Sequence, residues 1–224
     1  MAYINGKQIL FSTKFVRTGD YATGYDEGYA EGYADGVEVA KPVKPENLFT
    51  NSDFSETVTI TDGTYQQVQV PAHWGVEDTI IQEQNSHCPS VKNGEYKAGN
   101  YSYCDSYIGT IIHLRQTVQN PEHKRLYLLI EDTYMRAVTK AECPQCRDYP
   151  DADFFPVSFT AYIKAGGETV YSWNDGNVHK TIYVPIPESI SNNNEIEFEI
   201  YLCAKGHDVM NCSIKNPCLI AIPS

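Results

Sequence analysis

Apolar and polar residues alternate along most of the chain after residue 47. Five segments carry apolar residues with a period of two, and they are Ile112–Val118, Leu126–Ile130, Val157–Ile163, Ile182–Ile186 and Ile196–Leu202. This period places alternate side chains on opposite faces of a strand, one face in a core and the other in water. Several such strands separated by polar turns predict a mainly β fold in which two sheets pack together, a β-sandwich.

The first 17 residues have a different pattern. Two apolar segments, Ala2-Tyr3-Ile4 and Gln8-Ile9-Leu10-Phe11, lie on either side of Asn5-Gly6. Asn-Gly is a strong signal for a two-residue hairpin turn. We predict a short hairpin within residues 1–17. Because a hairpin of this size is only marginally stable alone, we interpret it as an attachment arm that docks on a larger body.

Residues 18–41 contain a four-residue repeat of glycine and tyrosine. The repeated positions are Gly24, Tyr25, Gly28, Tyr29, Gly32, Tyr33 and Gly36. A period of four fits a helix, but each glycine costs about 1 kcal/mol relative to alanine in a helix interior. The repeat therefore predicts an oligomerisation helix, with a trimer favoured, whose glycines let helix axes approach closely. The alternative is a flexible acidic linker.

The boundary of the C-terminal domain is predicted just after this repeat. Residues 42–46 contain Pro42 and Pro45, which predict a short stiff linker. The domain itself is predicted to span residues 47–224.

The charge and the apolar runs exclude several classes of protein. The chain has 224 residues, with 17 basic and 29 acidic side chains and a net charge of −12. This balance argues against binding to nucleic-acid phosphates or anionic membranes, which requires clustered Lys and Arg. No run approaches the roughly 18 apolar residues that span a bilayer. The N-terminus lacks the basic and apolar regions of a secretory signal, so we expect synthesis in the cytoplasm.

Short motifs follow one another in a recognisable order from residue 47 onward. They are Asn47–Phe54, Trp74, Leu114–Val118, Tyr183–Pro187 and Cys212–Ile220. Together they resemble the carbohydrate-binding modules of families four and nine. That pattern opens with N-L-hydrophobic-x-N-G-D-F, contains a Q-T-V strand and closes on I-D-N. The resemblance implies a jelly-roll β-sandwich that binds glycans without catalysis.

The same resemblance implies a structural calcium ion held near the two ends of the domain. Asp53 matches the opening motif, but the closing motif has Lys215 where the pattern has an aspartate. An ammonium group cannot ligate a cation and repels one. The sequence therefore argues against calcium.

The N-terminal region resembles a different group of proteins. The segment A-Y-I-N-G-K-x-I-L-F-S, followed by the Gly-Tyr repeat, resembles the start of small virion proteins from phages and prophages of gut bacteria. The resemblance implies an arm that attaches to other virion proteins in a head, tail or fibre. It implies a protein made in the bacterial cytoplasm and released by lysis in the virion, where its C-terminal module would reach cell-surface or mucosal glycans.

Aromatic side chains are the first candidates for glycan contacts, because their rings stack on sugar faces while polar groups bond to the hydroxyls. Trp74 and Trp173 each adjoin polar turn residues and are the leading predictions, with core packing as the alternative. The tyrosines of the middle region have packing or a subunit interface as their alternative, and they are Tyr96, Tyr101, Tyr103 and Tyr107.

Cysteine supplies the other candidate chemistry. The chain has seven cysteines, an odd number that excludes complete pairing within the chain. Cys143 and Cys146 form a Cys-x-x-Cys motif, a spacing that suits two ligands of one zinc ion. A closed site needs two more ligands, for which the sequence offers His87, Cys88 and Cys104. A structural zinc, a disulfide and unligated thiols all stay open for this motif.

Catalytic signatures are missing from the sequence. There is no G-x-S-x-G, no H-E-x-x-H, no phosphate loop and no dinucleotide fingerprint. Glu195, Glu197 and Glu199 share one strand face and are interpreted as a solvated surface. We therefore predict a non-enzymatic virion appendage that displays a glycan-binding jelly roll. The alternatives are a structural decoration domain without ligand and, with less support, a depolymerase of cell-wall polysaccharide.

Overall fold

The computed structural model describes residues 2–4, 7–9, 45–61, 67–76, 86–101, 108–138 and 157–222. In 2–4, 7–9, 61, 86–89, 100, 101, 108 and 207–209 only the backbone is described. The chain divides into two compact units, Met1–Pro42 and Val43–Ser224.

The first unit contains a two-stranded antiparallel hairpin. Strand β1 (Ala2–Ile4) pairs with β2 (Lys7–Ile9), and Ile4 lies opposite Lys7. This hairpin lies where the alternation around Asn5-Gly6 predicts one. The Gly-Tyr repeat predicted as a helix over residues 18–41 lies outside the described residues.

The second unit is built from eleven strands and one short helix in the part that the structure describes. In chain order they are β3 (Glu46–Asn47), β4 (Thr57–Thr61), β5 (Gln67–Pro71), β6 (Ser86–Lys92), β7 (Glu95–Tyr101), β8 (Ile108–Gln119), β9 (Arg125–Val138), β10 (Ser158–Ala165), β11 (Glu168–Trp173), β12 (His179–Pro185), α1 (Glu188–Ser191) and β13 (Glu195–Ile222). Helix α1 is a single turn that the pattern of apolar and polar residues does not predict.

Strand β13 belongs to both layers of the sandwich. Its first part, up to Gly206, pairs with β8 on one side and β10 on the other. From His207 onward it pairs instead with β9, with β7 and, near its end, with β3. Sheet I is therefore β11-β10-β13-β8, and sheet II is β12-β9-β13-β7-β6, with β3 beside the end of β13.

The core lies between the two sheets. Sheet I contributes side chains such as Leu114, Ile163 and Phe198, and sheet II contributes Leu128, Ile130 and Leu219. All of these residues except Leu219 come from the apolar positions of the period-two segments, and the alternate side chains of those strands face outward. The predicted mainly β, two-sheet sandwich is confirmed.

The opening motif, Asn47–Phe54, is held against the sandwich by side-chain hydrogen bonds. The Asn47 side-chain oxygen accepts hydrogen bonds from the backbone N–H groups of Phe49, at 3.1 Å, and Leu219, at 3.0 Å. Gln116, from the Q-T-V segment, accepts from Thr50 N–H and donates to the carbonyl oxygens of Thr50 and His73. Because buried polar groups need such partners, these residues fix the start of the domain against the sandwich.

Candidate functional site

A row of four side chains crosses the outer face of sheet I, the face directed away from the core. Ser172 lies opposite Tyr162, Tyr162 opposite Tyr201, and Tyr201 opposite His113. The Tyr162 and Tyr201 rings stack with centroids 4.7 Å apart and planes 7° apart, and His113 packs edge-on against Tyr201 at 5.5 Å. Every strand of sheet I thus supplies one member of this row, which we call the aromatic row because three of its four members are aromatic rings.

A charged row lies beside the aromatic row. In the pairing register Lys164 is opposite Glu199, and Glu199 is opposite Arg115. The Glu199 Oε2 atom lies 3.6 Å from Lys164 Nζ and 3.2 Å from His113 Nε2, and the Glu199 side chain is only 13% exposed. The prediction of Glu199 as a solvated residue is therefore corrected, since its mostly buried carboxylate forms an ion pair with Lys164 on β10 and contacts the His113 ring on β8.

The ring of His113 connects the two rows. Its Nε2 atom lies 3.2 Å from Glu199 Oε2 and also 3.2 Å from Arg115 Nε. One nitrogen cannot donate to Glu199 and accept from Arg115 at the same time. The protonation of Nε2 therefore decides which of the two contacts is a hydrogen bond.

An open pocket of about 520 Å³ lies on the same face, beside Tyr162 and toward the edge strand β11. Its size falls within the range of roughly 300–1,000 Å³ typical of ligand pockets. The lining residues carry hydroxyl, amide, phenol or apolar groups, and they are Phe159, Thr160, Ala161, Tyr162, Thr169, Ser172, Trp173 and Asn174. Phe159 is seated against Gly176, where any larger side chain would overlap its ring.

Burial controls the ionisation of the aromatic row. Burial, and beyond it the neighbouring Cys203, raises the pKa of the Tyr201 phenol above its usual value of 10.0. Burial likewise raises the pKa of the Cys203 thiol on the next outward position of β13. Both groups are therefore neutral at physiological pH, and the row presents rings and hydroxyl groups instead of phenolate charge.

The outer face of sheet II carries a second set of aromatic side chains. Tyr127 and Tyr183 stack with centroids 5.8 Å apart, and Tyr183 is 56% exposed. Leu129, Cys218 and Ile220 lie on the same face, in or beside the rows of these tyrosines. This face is therefore aromatic and aliphatic at its centre.

Trp74 and Tyr96 are core residues. The Trp74 side chain is 6% exposed, packs against Phe49 at 4.9 Å and donates its indole N–H to the Asn51 carbonyl at 3.2 Å. Tyr96 is fully buried and packs near Phe54. These placements correct the prediction that Trp74 and Tyr96 offer exposed rings to a glycan, because neither ring has a face open to a ligand.

The other predicted contacts have mixed outcomes. Trp173 is 9% exposed, since most of its ring packs in the core, but part of it lines the pocket. The side chains of Tyr101, Tyr103 and Tyr107 lie outside those that the structure describes. The sequence reading missed Tyr162, Tyr201 and Ser172. The available signal was their place at the polar positions of predicted strands, where a large aromatic residue must lie on an outer face.

Metal ligands are not grouped in the part of the chain that the structure describes. No set of three or more His, Cys, Asp or Glu side chains comes together there. Cys143, Cys146 and Cys104, and the side chains of His87 and Cys88, lie outside the described set, so the zinc prediction stays a prediction. Cys203, Cys212 and Cys218 are free thiols.

The region implied for calcium does not fit a cation. Gly94 lies against the side chain of Asn216 and the backbone carbonyl of Asp53, so the opening and closing motifs do meet. Lys215 Nζ lies 2.7 Å from Glu131 Oε1, and the Asn216 amide donates to the other oxygen of that carboxylate. The ammonium of Lys215 thus neutralises the nearby acidic group.

Comparison with known proteins gives structural similarity only. No protein-family model and no curated protein matches the chain. Among solved structures, the carbohydrate-binding module TmCBM61, in complex with β-1,4-galactotriose, is 13% identical at a TM-score of 0.37, over 79% of this chain and 99% of that one. A family 4 carbohydrate-binding module is 9% identical at a TM-score of 0.34, over 77% of this chain and 99% of that one.

An enzyme is also among the similar structures. The Stig cyclase Fisc from Fischerella sp. TAU is 14% identical at a TM-score of 0.39, over 81% of this chain and 100% of that one. Because these identities and TM-scores are low, what this protein binds has to be inferred from its own side chains. In the described residues, no helix is long and apolar enough to cross a membrane.

Proposed function

We propose that this protein binds glycans, without catalysis, at the outer face of sheet I. The observation that carries the proposal is the pocket beside Tyr162, which is lined by hydroxyl and amide side chains. A sugar ring has an apolar face of C–H groups and a rim of hydroxyls. An aromatic ring can cover the first while Thr160, Ser172 and Asn174 exchange hydrogen bonds with the second.

The stacking with Tyr201 prepares Tyr162 for this role. Tyr201 packs in parallel against Tyr162, and the pocket lies on the side of β11. A ring that is already held in place loses little conformational entropy when a ligand binds. The rigid sheet therefore presents Tyr162 as a preformed platform.

Glycoside hydrolysis has little support at this site. Hydrolysis requires two carboxyl groups that face each other across the sugar, one of them with a raised pKa. Among the residues that the structure describes, the pocket lining contains no carboxyl group, and the nearest row offers Glu199, which is paired with Lys164 and His113. The side chains of the pocket thus suit binding without turnover.

One observation favours the structural alternative, a decoration domain without ligand. Both tryptophans, which are the strongest sugar platforms in the sequence, have most of their surface in the core. If the outer faces serve only for packing in a larger assembly, Tyr162 would contact protein and not sugar. A binding experiment separates the two functions.

The test is binding of the full chain to a panel of bacterial and mucosal polysaccharides by affinity electrophoresis. We expect saturable binding that Tyr162→Ala weakens at least about tenfold, a change of roughly 1.4 kcal/mol. Tyr183→Ala is the matched control, since Tyr183 is also a tyrosine stacked on another tyrosine, but on sheet II. Binding that survives Tyr162→Ala, or is lost only in the control, would contradict the site. No binding by the native chain would favour the decoration domain.

We further propose that the glycan-binding module belongs to a virion appendage of a phage. The support is the resemblance of the N-terminal arm and the Gly-Tyr repeat to small virion proteins. In this proposal the arm contacts other virion proteins, the repeat forms a trimeric helix, and three weak glycan sites act together. Linked sites can exceed the affinity of a single site by orders of magnitude when all can engage.

Native mass spectrometry of the full chain tests the oligomeric part of this proposal. We expect a trimer for the native sequence and a monomer for the double variant Gly28→Leu, Gly32→Leu, because side chains at these positions would hold helix axes apart. A Glu27→Gln, Glu31→Gln variant, which changes neighbouring positions without adding bulk, should remain trimeric. A monomeric native chain would contradict the oligomerisation helix.

A further inference from the structure

We infer that Gly176 is a specificity-determining residue of the pocket on sheet I, because it lets the Phe159 ring lie outside the pocket space. This inference rests on the proposed glycan-binding function for its ligand, but the position of the ring can be measured without a ligand. The two residues are in close contact. A Cβ atom at position 176 would overlap the Cζ and both Cε atoms of Phe159, which form the tip of the ring.

The space at Gly176, and not its backbone conformation, requires a glycine. Asp175-Gly176 is a pair that in many tight turns places the glycine in the left-handed region. Here Asn177 takes the left-handed conformation, with φ 59°, and Gly176 does not. Alanine at position 176 would therefore leave the backbone unstrained. The substitution Gly176→Ala changes only the contact with Phe159.

The backbones on both sides of this contact are fixed. The Asn177 N–H donates to the Met135 carbonyl oxygen at 2.7 Å, and the Asn177 side-chain amide bonds to both backbone groups of Ala137 at 3.3 Å. Phe159 belongs to β10, which pairs with β13 along its whole length. Because both segments of the chain are held, the ring of Phe159 is the part that has to shift when a side chain is added at position 176.

The pocket is the side toward which the ring can shift. Phe159 packs against the core and also lines the pocket. A core is as densely packed as an organic crystal and takes up added atoms only with strain. The pocket, in contrast, is an open space of about 520 Å³. A side chain at position 176 would therefore push the ring into the space beside Thr160 and Trp173, and would make the pocket shallower.

A thiol placed in the pocket measures this movement without a ligand. Asn174 lines the pocket and is exposed, so Asn174→Cys in the full chain should react readily with fluorescein maleimide. Adding Gly176→Ala should slow the reaction at least about fivefold, because the reactivity of a thiol depends on access to it. Adding Phe159→Leu as well should restore the rate, since leucine lacks the Cε and Cζ atoms. Peptide mass spectrometry follows the labelling of residue 174. An unreactive thiol in Asn174→Cys alone, an unchanged rate after Gly176→Ala, or no recovery with leucine would overturn the inference.

Binding of the variants without the added thiol tests the effect on the ligand. For each polymer of the polysaccharide panel that the native chain binds, Gly176→Ala should weaken binding at least about tenfold. The Gly176→Ala, Phe159→Leu double variant should recover to within about threefold of the native affinity, because the two positions act through one contact.

Gly75→Ala is the matched control, since its Cβ atom would meet Arg115 Cβ at an ordinary contact distance of 3.4 Å. This variant should bind as the native chain does. Native-like binding by Gly176→Ala, or an equal loss in Gly75→Ala, would overturn the inference but keep the proposed function. No binding by the native chain would remove the proposed function, while the alkylation rates would still decide whether Gly176 keeps the Phe159 ring out of the pocket.

Discussion

The two outer faces of the sandwich each carry a stacked pair of tyrosines, and the surroundings of the two pairs differ. On sheet I, Tyr162 and Tyr201 are 4.7 Å apart and adjoin a charged row and a pocket with hydroxyl and amide groups. On sheet II, Tyr127 and Tyr183 are 5.8 Å apart and adjoin aliphatic side chains such as Leu129 and Ile220.

The difference shows that exposure of an aromatic ring is a poor guide to a sugar site. Tyr183 is more than half exposed, yet the side chains against it are the Tyr127 ring that stacks on it and Leu129 opposite it on β9. Tyr162 is only partly exposed, but it stands between a second ring and a set of short polar side chains. Specific recognition of a sugar requires both an apolar surface and convergent hydrogen-bonding groups.

The largest expected effect concerns the charged row of sheet I. Glu199→Gln should lower the free energy of unfolding by about 2 kcal/mol, because it leaves His113 and Lys164 without their anionic partner in a mostly buried setting. Urea unfolding followed by tyrosine and tryptophan fluorescence measures the change.

Glu197→Gln is the matched control, since Glu197 is an exposed residue two positions away on the same face of β13. Substitutions of this kind on a solvated surface change stability by less than about 0.5 kcal/mol. Equal losses in the two variants would mean that Glu199 is no more than another surface acid, as the sequence pattern alone predicts. The outer face of sheet I would then be an ordinary solvated surface, without a charged row that stabilises the fold.

Much of the fold could be predicted from the sequence, because the alternation of apolar and polar residues follows the burial of the side chains directly. The segments around Ile112, Leu126 and Ile196 form strands whose apolar positions fill the core. Alternation could not reveal that β13 runs through both sheets. Sheet exchange depends on which strands pair on each side of Gly206, a long-range property that one strand's own pattern does not encode.

The site was harder to predict than the fold. The motifs that carry the family resemblance are structural in this protein: Asn47 and Gln116 bind backbone groups, and Trp74 fills the core. The pocket instead joins positions about ten residues apart, such as Tyr162 and Ser172, through the β10–β11 register. A register of this kind is set by the β10–β11 turn and the bulge after Ile163, neither of which alternation specifies.

The last prediction concerns sheet II and tests its apolar character. Cys218 lies on the outer face next to Leu129, and burial raises the pKa of its thiol from 9.0 to about 11. At pH 9 an ordinary thiol is about half thiolate, whereas Cys218 would be about 1% thiolate. Because the thiolate is the reactive form, alkylation by iodoacetamide should be about 50-fold slower in the native protein than in the urea-unfolded chain.

A pH series separates ionisation from simple blocking of the thiol. The native rate at Cys218, followed by peptide mass spectrometry, should keep rising up to about pH 11, while the unfolded rate levels off above about pH 9. A native profile that levels off with the unfolded one would mean an ordinary thiol in a hydrated face. The same raised pKa makes the folded state hold more protons than the unfolded state between these values. The contribution of Cys218 to stability is therefore complete below pH 9 and decreases as the pH rises toward 11.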